Sequence, residues 1–280
     1  MLNLFGAVAC SVLVSVLLKL APRWRIAIDV AIACNYACAM VATALLLQPW
    51  RSAPPTAQWP WPSLLALGLL LPTIFLVLAR SVREAGIVRS DVAQRLSLLL
   101  PLLAAFVLFG ERASATKLAG GALGLLALLA LVWRGRAQPA PVRAGAAWPL
   151  LVFAGFGVID ILFKRVAASG LALGLALQVV FVLALVVAVL ISAARRSAPD
   201  WRSCGAGLVL GLFNFGNILF YLRAHRALPD APALVFAGMN LGVVVLGALT
   251  GLVLFGERLG RINLAGLGLA LVAITLLARG

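Results

Sequence analysis

Long apolar runs alternate with short polar or turn-forming segments along the whole chain. The runs lie near 2–20, 26–48, 63–82, 86–109, 114–133, 148–168, 171–194, 204–227, 231–255 and 259–279. Each is close to the ~20 residues that a helix needs to cross a bilayer, and a membrane strand would instead alternate apolar with polar residues. Since backbone groups in lipid must be hydrogen-bonded internally, the pattern predicts an all-α integral membrane protein with ten transmembrane helices.

The chain also repeats itself. LFGER at 108–112 returns at 254–258, and LAG at 118–120 returns at 264–266, an offset of 146 residues in both cases. The same offset pairs Gln94 with Asn240 and Arg80 with Arg226, and an offset of 145 pairs Lys19 with Lys164.

This repeat predicts a five-helix unit at 1–134, a linker at 135–147 and a second five-helix unit at 148–280. Because five is odd, the second unit enters the membrane with the opposite orientation. Two inverted five-helix repeats (5+5) are the plan of many secondary transporters.

Composition supports a membrane protein and excludes several other classes. Hydrophobic residues make up 64% of the 280 and mean hydropathy is +1.12. The net charge of +15 comes from basic residues that lie singly and in pairs between the apolar runs, where they can contact lipid phosphates. We therefore expect no nucleic-acid partner. Four cysteines without a CxxC pair and a single histidine predict no metal site and no cofactor.

Ionisable side chains inside the runs are the first candidates for a solute site, because each costs free energy to insert. Asp91 and Arg95 stand four residues apart in the fourth run beside Gln94, and Asp160 and Lys164 repeat this spacing in the sixth. Asp91 and Asp160 are the candidate proton-coupling groups. The alternative is that both pairs are structural, with Lys164 snorkelling to an interface.

Polar residues in later runs add amides and a hydroxyl. The eighth run carries three polar residues within about two helical turns, namely Asn214, Asn217 and Tyr221, and the ninth run carries Asn240. Such groups bind carboxylates, amines or hydroxyls without a net charge, although interhelical hydrogen bonding explains them equally well. Further along the fourth run, Pro101 predicts a kink.

Other features have structural explanations. Glu111 and Glu257 follow glycine at span ends, and we expect each to cap the next helix or to pair with Arg112 or Arg258. Three small-xxx-small pairs favour close helix approach and also suit a homodimer contact: Gly120 with Gly124, Gly207 with Gly211, and Gly247 with Gly251.

Two five-helix halves, each closing with a Gly-Glu-Arg turn and a glycine-rich last span, resemble the ten-helix EamA-type branch of the drug/metabolite transporter superfamily. The resemblance implies a carrier with both termini inside the cell. The positive-inside count of basic residues instead places the odd-numbered loops inside, so the orientation stays open. Arg95 departs from the resemblance and implies an asymmetric site.

The sequence therefore predicts a secondary transporter that exports a small polar or zwitterionic metabolite across the bacterial inner membrane, in contact with lipids. Exchange and proton coupling are both open as the driving mechanism. The chain has no GxxxxGK[ST] loop for ATP drive. A flippase for a lipid-linked intermediate is the alternative. A membrane-embedded enzyme is a remote one, because no HExxH or GxSxG motif is present.

Overall fold

A computed structural model describes residues 1–20, 24, 26–51, 59–85, 87–132, 147–255 and 260–279. These residues form α-helices and one 3₁₀ turn, with no strand among them. The α-helices are α1 (Leu2–Leu20), α2 (Ile28–Leu47), α3 (Trp61–Ala85), α4 (Ile87–Leu96), α5 (Leu99–Val107), α6 (Ala115–Val132), α7 (Ala147–Ala168), α8 (Leu173–Ala194), α9 (Trp201–Ala227), α10 (Pro232–Phe255) and α11 (Arg261–Arg279). Each predicted apolar run is thus helical, and the fourth holds two helices.

The helices are those of a multi-pass membrane protein. In the described part of the chain, six are long and apolar enough to cross a bilayer, namely α2, most of α3, α8, α9, most of α10, and α11. Large apolar side chains on these and neighbouring helices face outward, including Leu46 at 70% and Val253 at 77% exposed. Lipid is the solvent that such surfaces need.

The chain divides into two compact units that do not coincide with its sequence halves. The first unit contains Met1–Thr73 and Leu162–Ala227, and the second contains Ile74–Ile161 and Leu228–Gly280. Each unit therefore takes helices from both halves, and α3 and α7 contribute one end to each. The predicted repeat boundaries stay a prediction, and the predicted linker lies outside the described residues except for its last residue.

In the first unit, α2 packs against α9 with both helices running in the same direction. A Cβ atom built on Gly207 would lie 2.5 Å from the carbonyl oxygen of Ala31, and one built on Gly211 would lie 2.6 Å from that of Asn35. Both contacts advance by four residues in the same sense, so the helices are parallel. Only glycine permits this approach, which confirms the close contact predicted for this pair.

Helix α8 packs on the same helix α2 but runs antiparallel to it. Gly174 at the start of α8 meets Leu47 at the end of α2, where an added Cβ would be 2.9 Å from the Leu47 Cβ. Further along α8, the ring of Phe181 lies 6.4 Å from that of Tyr36. Contacts that advance along α8 thus go backwards along α2.

In the second unit, α6 and α11 form the main helix pair and are also antiparallel. A Cβ on Gly120 would lie 2.9 Å from Leu277 Cγ, and Asn263 Nδ2 donates to the Ala130 carbonyl oxygen at 3.1 Å. The close approach predicted at Gly120 is confirmed. At Gly247, no atom of the described residues lies within 4 Å of an added Cβ, so no close approach to another helix of the chain is seen there.

The predicted kink in the fourth run is a short 3₁₀-type interruption between α4 and α5. Residues 97–98 form a turn between the two helices. Pro101 has no amide hydrogen to donate to the carbonyl of Ser97, and that carbonyl accepts from the Leu100 amide at 3.1 Å instead. This hydrogen bond spans three residues instead of four, so the chain forms a tighter, 3₁₀-like turn here. The fourth run is therefore a discontinuous helix, whereas α10, its repeat mate, is continuous.

Candidate functional site

A buried polar cluster lies where α7 and α9 end in the first unit. Lys164 on α7 is 4% exposed, and Tyr221 and His225 on α9 are 3% and 1% exposed. The Tyr221 ring lies 4.7 Å from His225 and meets Phe163 edge-on at 6.1 Å. Lys164 and His225 are close enough to interact electrostatically.

Two predictions bear on this cluster. Snorkelling of Lys164 to an interface is wrong, because its side chain is enclosed by protein rather than extended toward water. Tyr221 lies in the same cluster, as expected for a polar face on α9. His225 was missing from the predicted site, although its spacing of four residues from Tyr221 places it on the same face.

Arg226 fixes the position of this end of α9. Its Nε donates to the carbonyl oxygen of Ala167 at 3.2 Å, and its Nη2 donates to that of Leu171. These carbonyls belong to the last turn of α7 and the following loop, which lack helical partners. The guanidinium thus holds the ends of α7 and α9 together and places Lys164 beside α9.

The two asparagines of α9 differ in their surroundings. Asn217 Nδ2 donates to the carbonyl oxygen of Ala7 on α1 at 3.1 Å, which is the interhelical hydrogen bond of the structural alternative. Asn214 is half-buried, and no hydrogen bond to it is found within the described ranges. Of the two, Asn214 is the better candidate for contact with a solute.

Sequence reasoning missed a second group of buried polar atoms in the first unit. Asn35 and Tyr36 on α2 are 1% and 0% exposed, and Gln178 lies on α8, which packs against α2. Asn35 Oδ1, the Tyr36 hydroxyl and Gln178 Oε1 have no hydrogen-bond partner in the part of the chain that the structure describes. Buried polar atoms of this kind are satisfied by an ordered water, an ion or a polar ligand. The signal was an amide and a phenol within an otherwise apolar run.

The second unit holds the remaining predicted residues. Asn240 Nδ2 donates to the carbonyl of Phe236 on its own helix at 3.1 Å. Gln94 and Arg95 are half-buried on α4, one turn before the break, and Ser97 Oγ donates to the Gln94 carbonyl at 2.6 Å. The discontinuous helix therefore presents an amide and a guanidinium next to its interruption.

The predicted acidic residues are placed only in part. Asp160 is half-buried on α7 and belongs to the second unit, whereas Lys164, four residues later, belongs to the first. The side chain of Asp91 lies outside the described residues, and so does that of Lys19. The assignment of Asp91 and Asp160 as coupling groups stays a prediction.

Glu111 has different partners from those predicted. Its Oε2 accepts from the backbone amide of Ala233 at 2.8 Å, and its Oε1 is 3.0 Å from Lys117 Nζ. The carboxylate therefore caps α10 rather than the next helix, α6, and its ion pair is with Lys117 rather than Arg112. Gly110, with a φ of 68°, turns the chain before Glu111 into a conformation that favours glycine. Glu257 lies outside the described residues.

A polar network joins the first turns of α2 and α9. Asp200 Oδ1 accepts from the amides of Arg202 and Ser203, both at 3.0 Å, and so caps α9. Ser203 Oγ accepts from the Ala27 amide at 2.8 Å, just before α2. Hydrogen bonds from Ser203 hold the pKa of Asp200 below its usual range. Both helices consequently begin at the same end of the first unit.

Comparison with known proteins extends this picture. The fold and the buried polar groups define a multi-pass α-helical membrane protein. No family model matches the chain. An uncharacterised protein of Haemophilus influenzae is 44% identical over 278 residues, which cover 97% of this chain and 96% of that protein. The chain belongs to the same family as this Haemophilus influenzae protein.

The fold is also found in a solved structure. A crystal structure with 16% sequence identity superposes with a TM-score of 0.72 and covers 98% of this chain and 94% of its own. At this identity, the likeness concerns the fold alone.

Proposed function

We propose that the chain is a secondary transporter of the ten-helix EamA type, built from two inverted five-helix repeats, which exports a small polar or zwitterionic metabolite by alternating access. The observation that carries the proposal is the antiparallel packing of helices that the sequence repeat makes equivalent. Equivalent helices of opposite direction are what inversion of the second repeat requires.

The correspondence is close for the two helix pairs whose antiparallel packing is described above. Moving α2 along the chain by 146 residues gives 174–193, and α8 spans Leu173–Ala194. The same step takes α6 to 261–278, and α11 spans Arg261–Arg279. Both of these pairs pack together, α2 with α8 in the first unit and α6 with α11 in the second. This pattern supports a pseudo-two-fold relation between the halves.

Binding of a polar solute is supported by groups that are costly to bury in a membrane protein. The first unit encloses Lys164 and Tyr221, together with the unpartnered oxygen of Gln178, as far as the described residues extend. The second unit presents Gln94 and Arg95 beside the 3₁₀ interruption between α4 and α5, and interrupted membrane helices are frequent at the substrate sites of transporters. Cations with amides suit a carboxylate-bearing or zwitterionic solute.

Energy coupling and location complete the proposal. Asp160 and Asp91 are the proposed proton-coupling groups, and no cofactor takes part. The proposed location is the bacterial inner membrane, with export as the direction. A flippase for a lipid-linked intermediate is the competing function, and the experiment below separates the two.

The test is counterflow and uptake in proteoliposomes that contain the purified full-length chain. A mixed pool of amino acids, nucleosides and sugars is offered with and without a pH gradient, and the accumulated solutes are read by mass spectrometry. Enrichment of one solute class that responds to the gradient is the expected result. No enrichment by folded protein contradicts the proposal and favours a lipid-linked substrate.

A matched pair of variants ties transport to the buried cluster. Lys164→Gln removes a charge that is 4% exposed and should abolish enrichment. Arg165→Gln removes a charge from the exposed neighbour on the same helix and should leave enrichment unchanged. Equal transport by the two variants would remove Lys164 from the site.

A further inference from the structure

A groove of about 650 Å³ opens on the first unit, between the end of α1, the segment before α2 and the start of α9. Its lining includes Leu17, Trp24, Trp201, Arg202, Gly205 and Val209. Its volume is that of a site for a sizeable organic ligand. None of these residues belongs to the buried cluster of Lys164, Tyr221 and His225.

The groove lies at the membrane–water boundary. Asp200 and Ser203 hold the first turns of α9 and α2 together at this end of the unit. Trp24 and Trp201 are 48% and 80% exposed here, and exposed tryptophans of membrane proteins collect at the head-group level. The mouth of the groove thus faces lipid head groups.

The chemistry of the groove changes with depth. Arg202 lies in the first turn of α9, and Val209 follows seven residues later, which is about 10 Å deeper along the helix. Val209 on α9 and Leu17 on α1 make the inner part apolar, and Arg202 is the charged residue among the described lining residues. A ligand that fits has a charged head group and an apolar chain. A small polar solute would lose its hydrogen bonds to water against the apolar inner part of the groove.

The charge at the mouth favours an anion. The Arg202 guanidinium lies over the Trp201 ring, 5.4 Å from its centre, which restrains it at the rim. Two carboxylates, Asp200 and Asp29, lie near the mouth and are outnumbered by three exposed arginines. Asp200 accepts from backbone amides of α9 and interacts electrostatically with Arg202, and Asp29 accepts from Ser197. Arg195 and Arg196, both exposed, add positive charge in the turn before α9.

We propose that this groove binds an anionic glycerophospholipid, with the head-group phosphate at Arg202 and one acyl chain along Leu17 and Val209. Arginine is suited to phosphate, and each basic residue near a membrane surface contributes about 1 kcal/mol toward anionic lipid, or roughly fivefold in affinity. The proposal does not depend on which solute the chain transports.

The experiment is native mass spectrometry of the full-length chain in a neutral detergent, titrated with dioleoyl phosphatidylglycerol or dioleoyl phosphatidylcholine. We expect one phosphatidylglycerol per chain, bound roughly fivefold more tightly than phosphatidylcholine. Equal affinity for the two lipids would overturn the proposal.

Two open glycines provide the site variant and its control. A Cβ built on Gly205 meets no atom of the described residues within 4 Å, so Gly205→Leu fills the groove without a clash with them. Gly268 on α11 is equally open and lies outside the groove, so Gly268→Leu is the same change elsewhere. Gly205→Leu should lose the lipid at least tenfold, and Gly268→Leu should keep it. Retention by Gly205→Leu, or equal loss in both, would contradict the assignment.

Two further variants keep the test decisive. Arg202→Gln should reduce the fivefold preference for phosphatidylglycerol to about one, and persistence of the preference would remove the head group from Arg202. If Gly205→Leu fails to fold, Val209→Phe narrows the groove from a residue that is 44% exposed, and it should lose the lipid equally. Unchanged binding by Val209→Phe would again overturn the proposal.

Discussion

Glu111 Oε2 accepts a hydrogen bond from the backbone amide of Ala233, 122 residues further along the chain, at 2.8 Å. The other carboxylate oxygen pairs with Lys117, and the Glu111 side chain is 1% exposed. One buried carboxylate therefore accepts the hydrogen bond from a backbone amide in the first turn of α10 and forms an ion pair with the Lys117 ammonium on α6. It is anchored twice, once by a helix N-terminus and once by a cation.

We expect Glu111→Ala to cost about 3 kcal/mol of unfolding free energy, because it leaves the largely buried Lys117 without its carboxylate. The measurement is equilibrium unfolding in mixed micelles of Glu111→Ala, Lys117→Ala and the double variant. The double variant should lose clearly less than the sum of the two single losses. Additive losses would show that the pair is not coupled.

Close packing of α2 on α9 predicts opposite effects of one substitution at neighbouring glycines. Gly211→Ala places a Cβ 2.6 Å from the Asn35 carbonyl oxygen, and we expect it to cost about 1–3 kcal/mol by overpacking. Gly205→Ala, less than two turns earlier, meets no atom of the described residues and should be neutral or stabilise by up to about 1 kcal/mol through helix propensity. Thermal unfolding in detergent distinguishes the two. A stable Gly211→Ala would contradict the parallel contact.

The Asp200 cap predicts a dependence of stability on acidity. Hydrogen bonds from Ser203 lower the pKa of Asp200 from its ordinary value of 3.8. A carboxyl group whose pKa is lower in the folded state stabilises that state above pH 3.8, and this contribution is lost as the pH falls through the folded-state value. The unfolding midpoint of the wild type should fall on acidification below about pH 4. Asp200→Asn and Ser203→Ala should each reduce that fall, and a fall of wild-type size in both would contradict the cap.

Proton coupling predicts a division between two transport assays. Asp160→Asn and Asp91→Asn should each lower gradient-driven accumulation at least tenfold and leave counterflow measurable, because only the former needs a titrating carboxyl group. Asp230→Asn, which changes an exposed carboxylate between α9 and α10, is the control. Normal accumulation by both test variants would end their assignment as coupling groups.

Hydrophobic pattern predicted the helices well because membrane helices are defined locally, by a run of apolar residues of sufficient length. The break at Ser97 was also foreseeable, since the missing amide of Pro101 acts within its own turn. The partner of Glu111 was not, because Ala233 meets it only through the packing of distant helices.

The candidate site was less accessible to sequence than the fold. From sequence, a lysine near a helix end is equally compatible with snorkelling to the interface and with burial. At Lys164 the side chain is buried because α9 packs against it. Gly207 and Gly247 each begin a small-xxx-small pair, yet one meets another helix and the other meets no atom of the described residues. Such outcomes depend on which side of a helix the neighbour occupies.

The interleaving of the two compact units has a consequence for biosynthesis. The first unit needs segments that end at Ala227, and the second needs segments that begin at Leu228. While the ribosome delivers the first half of the chain, helices such as α2 and α6 enter the bilayer before their packing partners α8 and α11 exist. The first unit is therefore complete only after Ala227 has been inserted and the second only after α11 has been inserted, so neither unit can assemble from the first half of the nascent chain alone.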